Sequence, residues 1–328
     1  MSQVQEESRA SRVRIYEYSK AAAVELPTQP AAVFPSSLHE DDGPSRVIPL
    51  DLSTSLNTTY KATSPNLLAS FIKIKVGDPL FTSARATSQL FYVLRGIGST
   101  TSEEHGCISW KKGDLFVLPA TKGALSHVAS SESEGDNNGA ALYWLSDEPL
   151  LKYLGVSASE ERFGAAFYSK EVLLSAVEAV RHEEGAEHRN RMGVLLSNEA
   201  CPETKTLTPV LWALLNVLPA NTKQPPHRHQ SVAIDLAVNV AKGAEGKVYT
   251  MMGPELNEDG WVKNPIKMNW ATNAVFTTPP GWWHSHHNES NEDAWVLPTQ
   301  DAGLYTHQRT LDIRFSHAKP MPAGSGGK

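Results

Sequence analysis

Short runs in which apolar and polar residues alternate make up most of two stretches of the chain. Alternation with a period of two is the pattern of a strand with one buried face. In the first stretch the runs cover 68–76, 89–94, 114–118 and 141–145, and the second stretch extends from Pro209 to Phe315. Glycine and proline residues separate the runs, as in antiparallel sandwiches and barrels. The pattern predicts an all-β protein with two sandwich or barrel domains.

A helical period separates the two β stretches. Between about 150 and 198 the apolar residues recur at a spacing near 3.6, and charged residues crowd 181–191. A shorter helix is expected at 16–24, where prolines follow. The predicted organisation is an N-terminal arm at 1–60, a first barrel at 61–150, a helical connector at 151–205, a second barrel at 206–318 and a disordered tail at 319–328.

The two β stretches contain the same parts in the same order, which indicates an internal repeat. Ala84-Arg85-Ala86 in the first stretch matches His227-Arg228-His229 in the second, and a later strand ends at Pro119 in one and at Pro279 in the other. Ala86 and Pro119 lie 33 positions apart, whereas His229 and Pro279 lie 50 apart. The second copy therefore has a 17-residue insertion, which we place in the loop at 253–270.

Five of the 12 histidines lie between His227 and Asn288. His227 and His229 are one residue apart on a predicted strand, so both side chains point to the same face. His284 follows a Pro-Pro-Gly turn on a later strand and would complete a three-nitrogen metal site with open coordination positions, an arrangement suited to chemistry. The alternative is that these are surface or core histidines. The first copy has alanine at the two matching positions and one nearby histidine, His127, so we expect it to be structural.

Composition and charge restrict the partners. The chain has 328 residues, a net charge of -6 and a pI near 6.1, and it contains no basic stripe, which argues against nucleic acid and anionic membrane surfaces as partners. No apolar run has the length of a signal-peptide core or of a membrane span, so we expect a cytoplasmic location. Two cysteines are too few for a disulfide framework. The expected partner is a small molecule.

The segment Pro-x-His-x-His at 225–229, followed by Pro-x-Gly-x-x-His-x-x-x-Asn at 279–288, resembles the two sequence motifs of the cupin superfamily, and the repeat is similar to a bicupin. More narrowly, 211–219, 226–229 and 283–286 resemble the metal domain of the gentisate 1,2-dioxygenase group, which includes salicylate and 1-hydroxy-2-naphthoate dioxygenases.

The resemblance implies two double-stranded β-helix (jelly-roll) domains in a homodimer or homotetramer. It also implies Fe(II) held by His227, His229 and His284, and cleavage of an aromatic substrate with O2. Because imidazole binds many first-row metals, Mn, Ni and Zn stay open as alternatives.

Strand alternation and the resemblance together select residues for the wall of the site. Asp235 has the parity of His227 and His229, and His286 has the parity of His284. His286 is therefore a candidate catalytic acid or base, with a supporting or surface role as the alternative. The candidate substrate-binding residues are Trp212, Asn216, Asp235, Trp283 and Asp301. For Trp212 the alternative is core packing.

Departures from the gentisate group bear on the substrate. The metal motif lies in the second copy, no glutamate follows His229 closely, Ser285 replaces an aspartate, and Asp235 stands where ring-cleaving relatives have an arginine for the substrate carboxylate. A buried carboxylate repels a second one. We therefore expect Asp235 to select against carboxylates, and we expect a catechol-like diol, an aminophenol or an amine-bearing molecule as substrate rather than gentisate.

Three classes of function follow from these observations. The first is an Fe(II)-dependent dioxygenase that uses O2. The second is a metal-dependent cupin lyase, isomerase or decarboxylase without O2 chemistry. The third is a small-molecule-binding cupin with no catalytic activity, which the intact set of histidines disfavours.

Overall fold

The computed structural model describes residues 9–22, 24–132, 139–186, 189–319 and 321–322. The helices are α1 (Tyr18–Ala21), α2 (Ser37–Glu40), α3 (Ser53–Leu56), α4 (Glu148–Leu154), α5 (Lys170–Arg181) and α6 (Ala302–Gln308). The strands up to the connector are β1 (Val33–Phe34), β2 (Arg46–Pro49), β3 (Leu68–Ile74), β4 (Leu80–Thr82), β5 (Gln89–Arg95), β6 (Ile97–Ser102), β7 (Gly106–Lys111), β8 (Leu115–Leu118), β9 (Leu125–Ala129) and β10 (Ala140–Ser146). The remaining strands are β11 (Ala166–Tyr168), β12 (Met192–Leu196), β13 (Trp212–Leu218), β14 (Thr222–Lys223), β15 (His227–His229), β16 (Ala233–Asn239), β17 (Val248–Gly253), β18 (Ile266–Asn269), β19 (Val275–Thr278), β20 (Trp283–Asn288), β21 (Ala294–Gln300), β22 (Ile313–Phe315) and β23 (Met321–Pro322).

Each β stretch folds into a barrel of two antiparallel sheets. In the first barrel a six-stranded sheet, in the order β11-β8-β5-β10-β3-β2, packs on a four-stranded sheet, β4-β9-β6-β7. In the second barrel the six-stranded sheet has the order β1-β19-β16-β21-β13-β12. Its other sheet follows the path β18-β17-β20-β14-β23, and β15 pairs with β20 and β22. The all-β architecture predicted from the alternating runs is confirmed, and of the two forms that the runs allowed it is the barrel.

One edge strand crosses between the two barrels. β1 precedes the first barrel in sequence but pairs with β19 of the second barrel, whereas β11, which follows the first barrel, pairs with β8 of that same barrel. Each six-stranded sheet thus has one edge covered by a short strand from outside the predicted barrel domains. Unpaired sheet edges favour association with other chains, and these strands cover one edge of each sheet.

The core between the barrels is formed by the faces of the two six-stranded sheets that point toward each other. Leu90 and Tyr92 on β5 and Ile234 and Leu236 on β16 belong to this shared core. Because strand side chains alternate, Phe91 points the other way, into the first barrel, where it packs in a separate apolar cluster. The same alternation turns the side chain at 235 into the second barrel.

The sheets extend beyond the predicted domain boundaries. The segment 151–205 contains the amphipathic helix α5, with Leu173 and Val177 buried, but it also supplies β11 and β12 to the two barrels. The arm at 1–60 likewise supplies β1 and β2, and its expected helix at 16–24 is limited to α1. These edge strands were missed because they are two to five residues long and show no extended alternation.

The predicted disordered tail falls mostly outside the described residues. Within it, β23 pairs with β14 in the second barrel. In the part of the chain that the structure describes, no helix is both long enough and apolar enough to cross a bilayer.

A repeated hydrogen bond locates the insertion in the second copy. Trp110 Nε1 donates to Thr100 Oγ1 in the first barrel, and Trp270 Nε1 donates to Thr250 Oγ1 in the second, each at 2.9 Å. The tryptophan follows the threonine by 10 positions in the first copy and by 20 in the second. Only ten of the 17 extra residues therefore lie in this hairpin, and the other seven precede Thr250, which corrects the single-loop prediction.

Candidate metal centre and cavity

His227, His229 and His284 converge inside the second barrel. β15 pairs with β20 so that His227 lies directly opposite His284, and their ring centroids are 4.1 Å apart. His229 has its ring 5.5 Å from that of His227 and 5.0 Å from that of His284. One nitrogen from each of the three rings lies within 4.8 Å of the others. This is the arrangement of a facial three-nitrogen site.

The Pro-Pro-Gly turn holds the third histidine beside the first two. Gly281 has a φ of 75°, a left-handed conformation that glycine adopts without strain, and its N–H donates to the carbonyl oxygen of His229 at 2.7 Å. The turn is thereby tied to the strand that carries the His-x-His pair, and β20 begins two residues later.

Two of the three imidazoles are oriented for metal binding by backbone carbonyls. His229 Nδ1 lies 2.9 Å from the oxygen of Ser231, and His284 Nδ1 lies 3.1 Å from the oxygen of Trp282. A ring that donates Nδ1–H to a carbonyl has its lone pair on Nε2, the nitrogen that can bind a metal. In His229 this nitrogen also lies 3.4 Å from Gln300 Nε2. Burial lowers the pKa of all three histidines, that of His229 to about 4, so the rings are neutral at physiological pH. The donor set therefore fits a divalent first-row metal.

A cavity of about 470 Å³ opens beside the three histidines. Of the other candidate residues, Trp212, Asn216, Asp235 and His286 line it. Trp283 and Asp301 do not. The alternation predicted for the strand after His229 is present, since Ala233 also lines the cavity.

Trp283 faces away from the cavity. It is adjacent to His284 on β20, so its side chain points to the opposite face of the strand. There its ring stacks under the guanidinium of Arg228, whose Cζ lies 5.0 Å from the ring centroid. The structure gives Trp283 a packing contact on the outside of the barrel instead of a contact with a ligand in the cavity.

Asp301 has a structural environment that is repeated in the first barrel. Its carboxylate accepts from the backbone N–H of Val232 at 3.2 Å and from Asn66 Nδ2 at 2.6 Å. Asp147, which follows the matching strand of the first barrel, accepts from the backbone N–H groups of Thr87 and Ser88. Because the first copy has no histidine triad, this repeated contact indicates that Asp301 fixes the start of a strand.

A hydrogen bond with Thr250 orients the ring of His286. Its Nδ1 lies 2.8 Å from Thr250 Oγ1, which already accepts from Trp270, so the threonine hydroxyl is available to donate to Nδ1. A neutral ring that accepts at Nδ1 carries its proton on Nε2. His286 then presents an N–H donor to the cavity. His286 is buried, and burial lowers its pKa well below the usual value.

The first barrel contains the same threonine–histidine contact, but there both imidazole nitrogens have a hydroxyl partner. His127 Nδ1 lies 2.9 Å from Thr100 Oγ1, and His127 Nε2 lies 2.8 Å from Thr82 Oγ1. The imidazole is thus bonded at both nitrogens in the first barrel, whereas the second barrel leaves Nε2 of His286 for a ligand.

Matching strand positions explain why one barrel is filled and the other is hollow. Phe91 pairs with Trp144 and Phe116 across β5, and its ring stacks on both at centroid distances of 5.9 and 4.7 Å. In the second barrel Asp235 occupies the place of Phe91, opposite Pro298 and Phe276. Two aromatic rings are therefore replaced by much smaller side chains. One position of the histidine triad also differs between the barrels, because His284 of the second barrel matches Leu125 of the first.

Asp235 is a buried carboxyl group in the cavity wall. Its Oδ2 accepts from Thr278 Oγ1 at 2.8 Å. Burial raises the pKa of Asp235 to about 7, while the bond from Thr278 and the charge of Arg191 act in the opposite direction.

Arg191 is a candidate that the sequence did not indicate. It lines the cavity, and its Nη2 lies 2.5 Å from His227 Nδ1. Burial lowers the pKa of Arg191 to about 9, so the guanidinium remains charged at neutral pH. The prediction that Asp235 excludes carboxylates took account of the negative charge of Asp235 alone. The cavity also contains the positive charge of Arg191. Arg191 belongs to a charged run that reads as an exposed helical surface, and only the pairing of β12 with β13 brings it to the histidines.

No protein-family model and no curated protein matches the sequence. Solved structures do match. A salicylate 1,2-dioxygenase from Pseudaminobacter salicylatoxidans has a TM-score of 0.67 and 13% identity, covering 95% of this chain and 97% of that one. The same enzyme as an adduct with gentisate has a TM-score of 0.66 and 13% identity, covering 95% and 92%. An oxalate decarboxylase has a TM-score of 0.52 and 14% identity, covering 82% and 76%. These matches establish the fold, which is the predicted bicupin fold.

Proposed function

We propose that this protein is an Fe(II)-dependent dioxygenase that cleaves a small aromatic substrate with O2. The observation that carries the proposal is the convergence of three neutral imidazoles on a cavity that opens where Phe91 and Trp144 of the first barrel are replaced by Asp235 and Pro298 in the second. The structural match to a salicylate 1,2-dioxygenase over nearly the whole chain supports the reaction class.

In this proposal His227, His229 and His284 hold the metal. Iron in such a site supplies the redox chemistry through which O2 reacts with an electron-rich ring. Three neutral ligands leave coordination positions for other groups and leave the charge of the ion uncompensated, which favours oxygen donors such as phenolate or catecholate.

The remaining cavity residues bind and orient the substrate. Trp212 supplies an aromatic wall, and Asp235 accepts a hydrogen bond from an amino or hydroxyl substituent. His286 donates its Nε2–H to an oxygen of the bound substrate, held in that tautomer by Thr250. Asn216 is anchored through Oδ1, which accepts from the backbone N–H of Met192 at 3.1 Å, and directs its amide nitrogen to the ligand. The proposed substrates are therefore diols, aminophenols and hydroxy-aromatic compounds.

A metal-dependent reaction without O2 is the second candidate. The structural match to an oxalate decarboxylase favours it, because that enzyme shares the two-barrel fold. The two candidates differ in one requirement. Only the dioxygenase consumes O2, so substrate loss under strict anaerobiosis would favour the second candidate.

An oxygen-electrode screen tests the proposal. Protein reconstituted anaerobically with Fe(II) is mixed with catechols, aminophenols and hydroxybenzoates, and we expect O2 uptake equal to substrate loss with at least one of them. His286→Gln should retain the metal and lose turnover by about 10²–10⁴-fold, the usual contribution of a positioned proton donor. Substrate loss without O2, or O2 uptake that persists in His227→Ala, would contradict the proposal.

A further inference from the structure

We infer that Arg191 couples the binding of the metal to the binding of an anionic ligand, so that each strengthens the other. The inference rests on the proposed role of His227 as a ligand. It concerns the positive charge of Arg191, which lies next to the three histidines of the proposed metal site.

Arg191 is anchored at the edge of the triad by several acceptors. Nη1 donates to the carbonyl oxygens of Asn190 and Pro225, at 2.9 and 3.1 Å, and to Asn190 Oδ1 at 2.7 Å. Nη2 points to His227 Nδ1 at 2.5 Å, with the carbonyl oxygen of His284 at 3.5 Å. A guanidinium nitrogen is only a donor, so His227 Nδ1 must be the acceptor.

This contact gives His227 the opposite tautomer to the other two histidines. His229 and His284 donate Nδ1–H to carbonyls, whereas His227 accepts at Nδ1 and so carries its proton on Nε2. A neutral imidazole has one lone pair. If the metal binds Nε2 of His227, the ring proton must move to Nδ1, where it faces the N–H of the guanidinium. If the metal binds Nδ1 instead, it takes the lone pair that accepts the hydrogen bond from Arg191. Metal ligation by His227 therefore requires the guanidinium of Arg191 to move away from His227 Nδ1.

The charge of Arg191 leads to the same conclusion. Arg191 is buried, and no carboxylate among the described residues lies within ion-pairing distance of it. Asp235 is the carboxyl group whose charge acts on it across the cavity. A divalent metal in the triad would share this dry space with a guanidinium and at most one carboxylate, which is unfavourable because buried like charges repel strongly. An anion that binds Arg191 removes this cost.

Another donor in the cavity, on Asn216, lacks an acceptor. Asn216 Nδ2 is buried and has no hydrogen-bond partner among the described residues, and Asn216 lines the same cavity as Arg191. Unpaired buried donors are uncommon in folded proteins. Arg191 and Asn216 thus offer two kinds of N–H donor in one cavity, which fits a ligand with a planar anionic group such as a carboxylate.

The competing possibility is that Arg191 turns to Asp235 when the metal binds. The charge would then be balanced within the protein, and metal affinity would not depend on an added anion. The two possibilities can be separated by measuring metal affinity, without any assay of turnover.

Calorimetric titration of the metal-depleted full chain with Co(II) tests the inference, with benzoate as the anionic probe and benzamide as its neutral counterpart. We expect benzoate to tighten Co(II) binding by about 10-fold or more, within the usual range of coupling between sites, and benzamide to have no effect. Arg191→Gln should bind Co(II) more tightly than the wild type in the absence of benzoate, and benzoate should no longer change its affinity. Arg191→Lys, which keeps the charge, should retain a dependence on benzoate.

Arg189→Gln is the matched control. Arg189 also lines the cavity, but its guanidinium is paired with Glu183, so its removal should leave the effect of benzoate unchanged. Tight Co(II) binding that is equal with and without benzoate would overturn the inference and leave the proposed function intact. An effect of benzoate that persists in Arg191→Gln would also overturn it, because the carboxylate would then act on the metal alone. Failure of every variant and of the wild type to bind Co(II) would overturn the proposed function itself.

Discussion

Differences at a few matching positions decide whether a barrel interior is a core or a cavity. Phe91 fills the first barrel by stacking between two aromatic rings, and Asp235 at the matching position of the second barrel leaves space beside the histidines. A buried carboxyl group with one hydroxyl donor is costly for folding. The protein thus places a destabilising residue at the site of proposed chemistry, as functional sites often do.

This cost should depend on pH. The pKa of Asp235 in the folded protein is raised from 3.8 to about 7, so the folded state holds this proton where the unfolded state has lost it. The contribution of Asp235 to the free energy of unfolding is therefore most favourable below about pH 4 and falls as the pH rises to about 7. Relative to the wild type, Asp235→Asn should gain on the order of 2–4 kcal/mol of stability between pH 4 and pH 8. Urea unfolding of metal-depleted protein at several pH values measures this, and a constant difference would contradict it.

Local spacing made the histidines predictable, whereas the other site residues depended on long-range pairing. His227 and His229 lie on one strand and His284 follows a turn, so parity and motif were sufficient to group them. Trp283 was proposed for its place in the motif, although its parity opposes that of His284. Arg191 reaches the cavity only through strand pairing, for which the sequence gives no local signal.

At the level of elements, the crossing of β1 joins the N-terminal arm to the second barrel. The segment that leads to β1 crosses to the second barrel, where Thr277 Oγ1 donates to the carbonyl oxygen of Pro30 at 2.7 Å and accepts from the N–H of Ala32 at 2.9 Å. Sequence patterns gave the long central strands and the order of the repeat. They did not predict the crossing of β1, because a two-residue strand has no period and its partner lies more than 200 positions away.

Removing the two hydrogen bonds of Thr277 should loosen this crossing. Thr277→Val keeps the shape of a fully buried side chain but leaves the carbonyl of Pro30 and the N–H of Ala32 without this partner, at an expected cost of about 1–3 kcal/mol. Urea unfolding measures the loss, and limited proteolysis should show faster cleavage near 28–36.

Thr299→Val is the control for that substitution. Thr299 is equally buried on β21 of the same sheet, but its hydroxyl has no hydrogen-bond partner among the described residues. Its replacement should be neutral or stabilising. Equal losses in the two variants would show that the hydroxyl of Thr277 does not hold the crossing segment.

At the scale of the whole molecule, the N-terminal arm exposes a series of large apolar side chains. Ile15 is 90% exposed, Tyr18 is 84% exposed and Leu26 is 74% exposed. Apolar groups clustered in this way usually mark a contact with another chain. The resemblance to the gentisate group implies a homodimer or homotetramer, and the arm is the segment we expect to form part of that contact.

Light scattering coupled to size-exclusion chromatography tests this expectation. The wild type should elute as a dimer or tetramer, and the combined substitutions Ile15→Ser, Tyr18→Ser and Leu26→Ser should shift it to a smaller species. Val172→Ser, which changes an exposed apolar residue on α5, should leave the assembly unchanged. A monomeric wild type would contradict the expectation.

The central claim is that one metal ion binds in the second barrel through His227, His229 and His284 and that the first barrel binds none. Metal analysis after anaerobic reconstitution with Fe(II) and removal of excess ion tests it most directly. We predict one iron per chain in the wild type and about a tenth of that or less in His284→Ala, since two imidazoles form an incomplete site. His127→Ala, the matched change in the first barrel, should keep full occupancy. Full occupancy in His284→Ala, or a loss of iron in folded His127→Ala, would contradict the account.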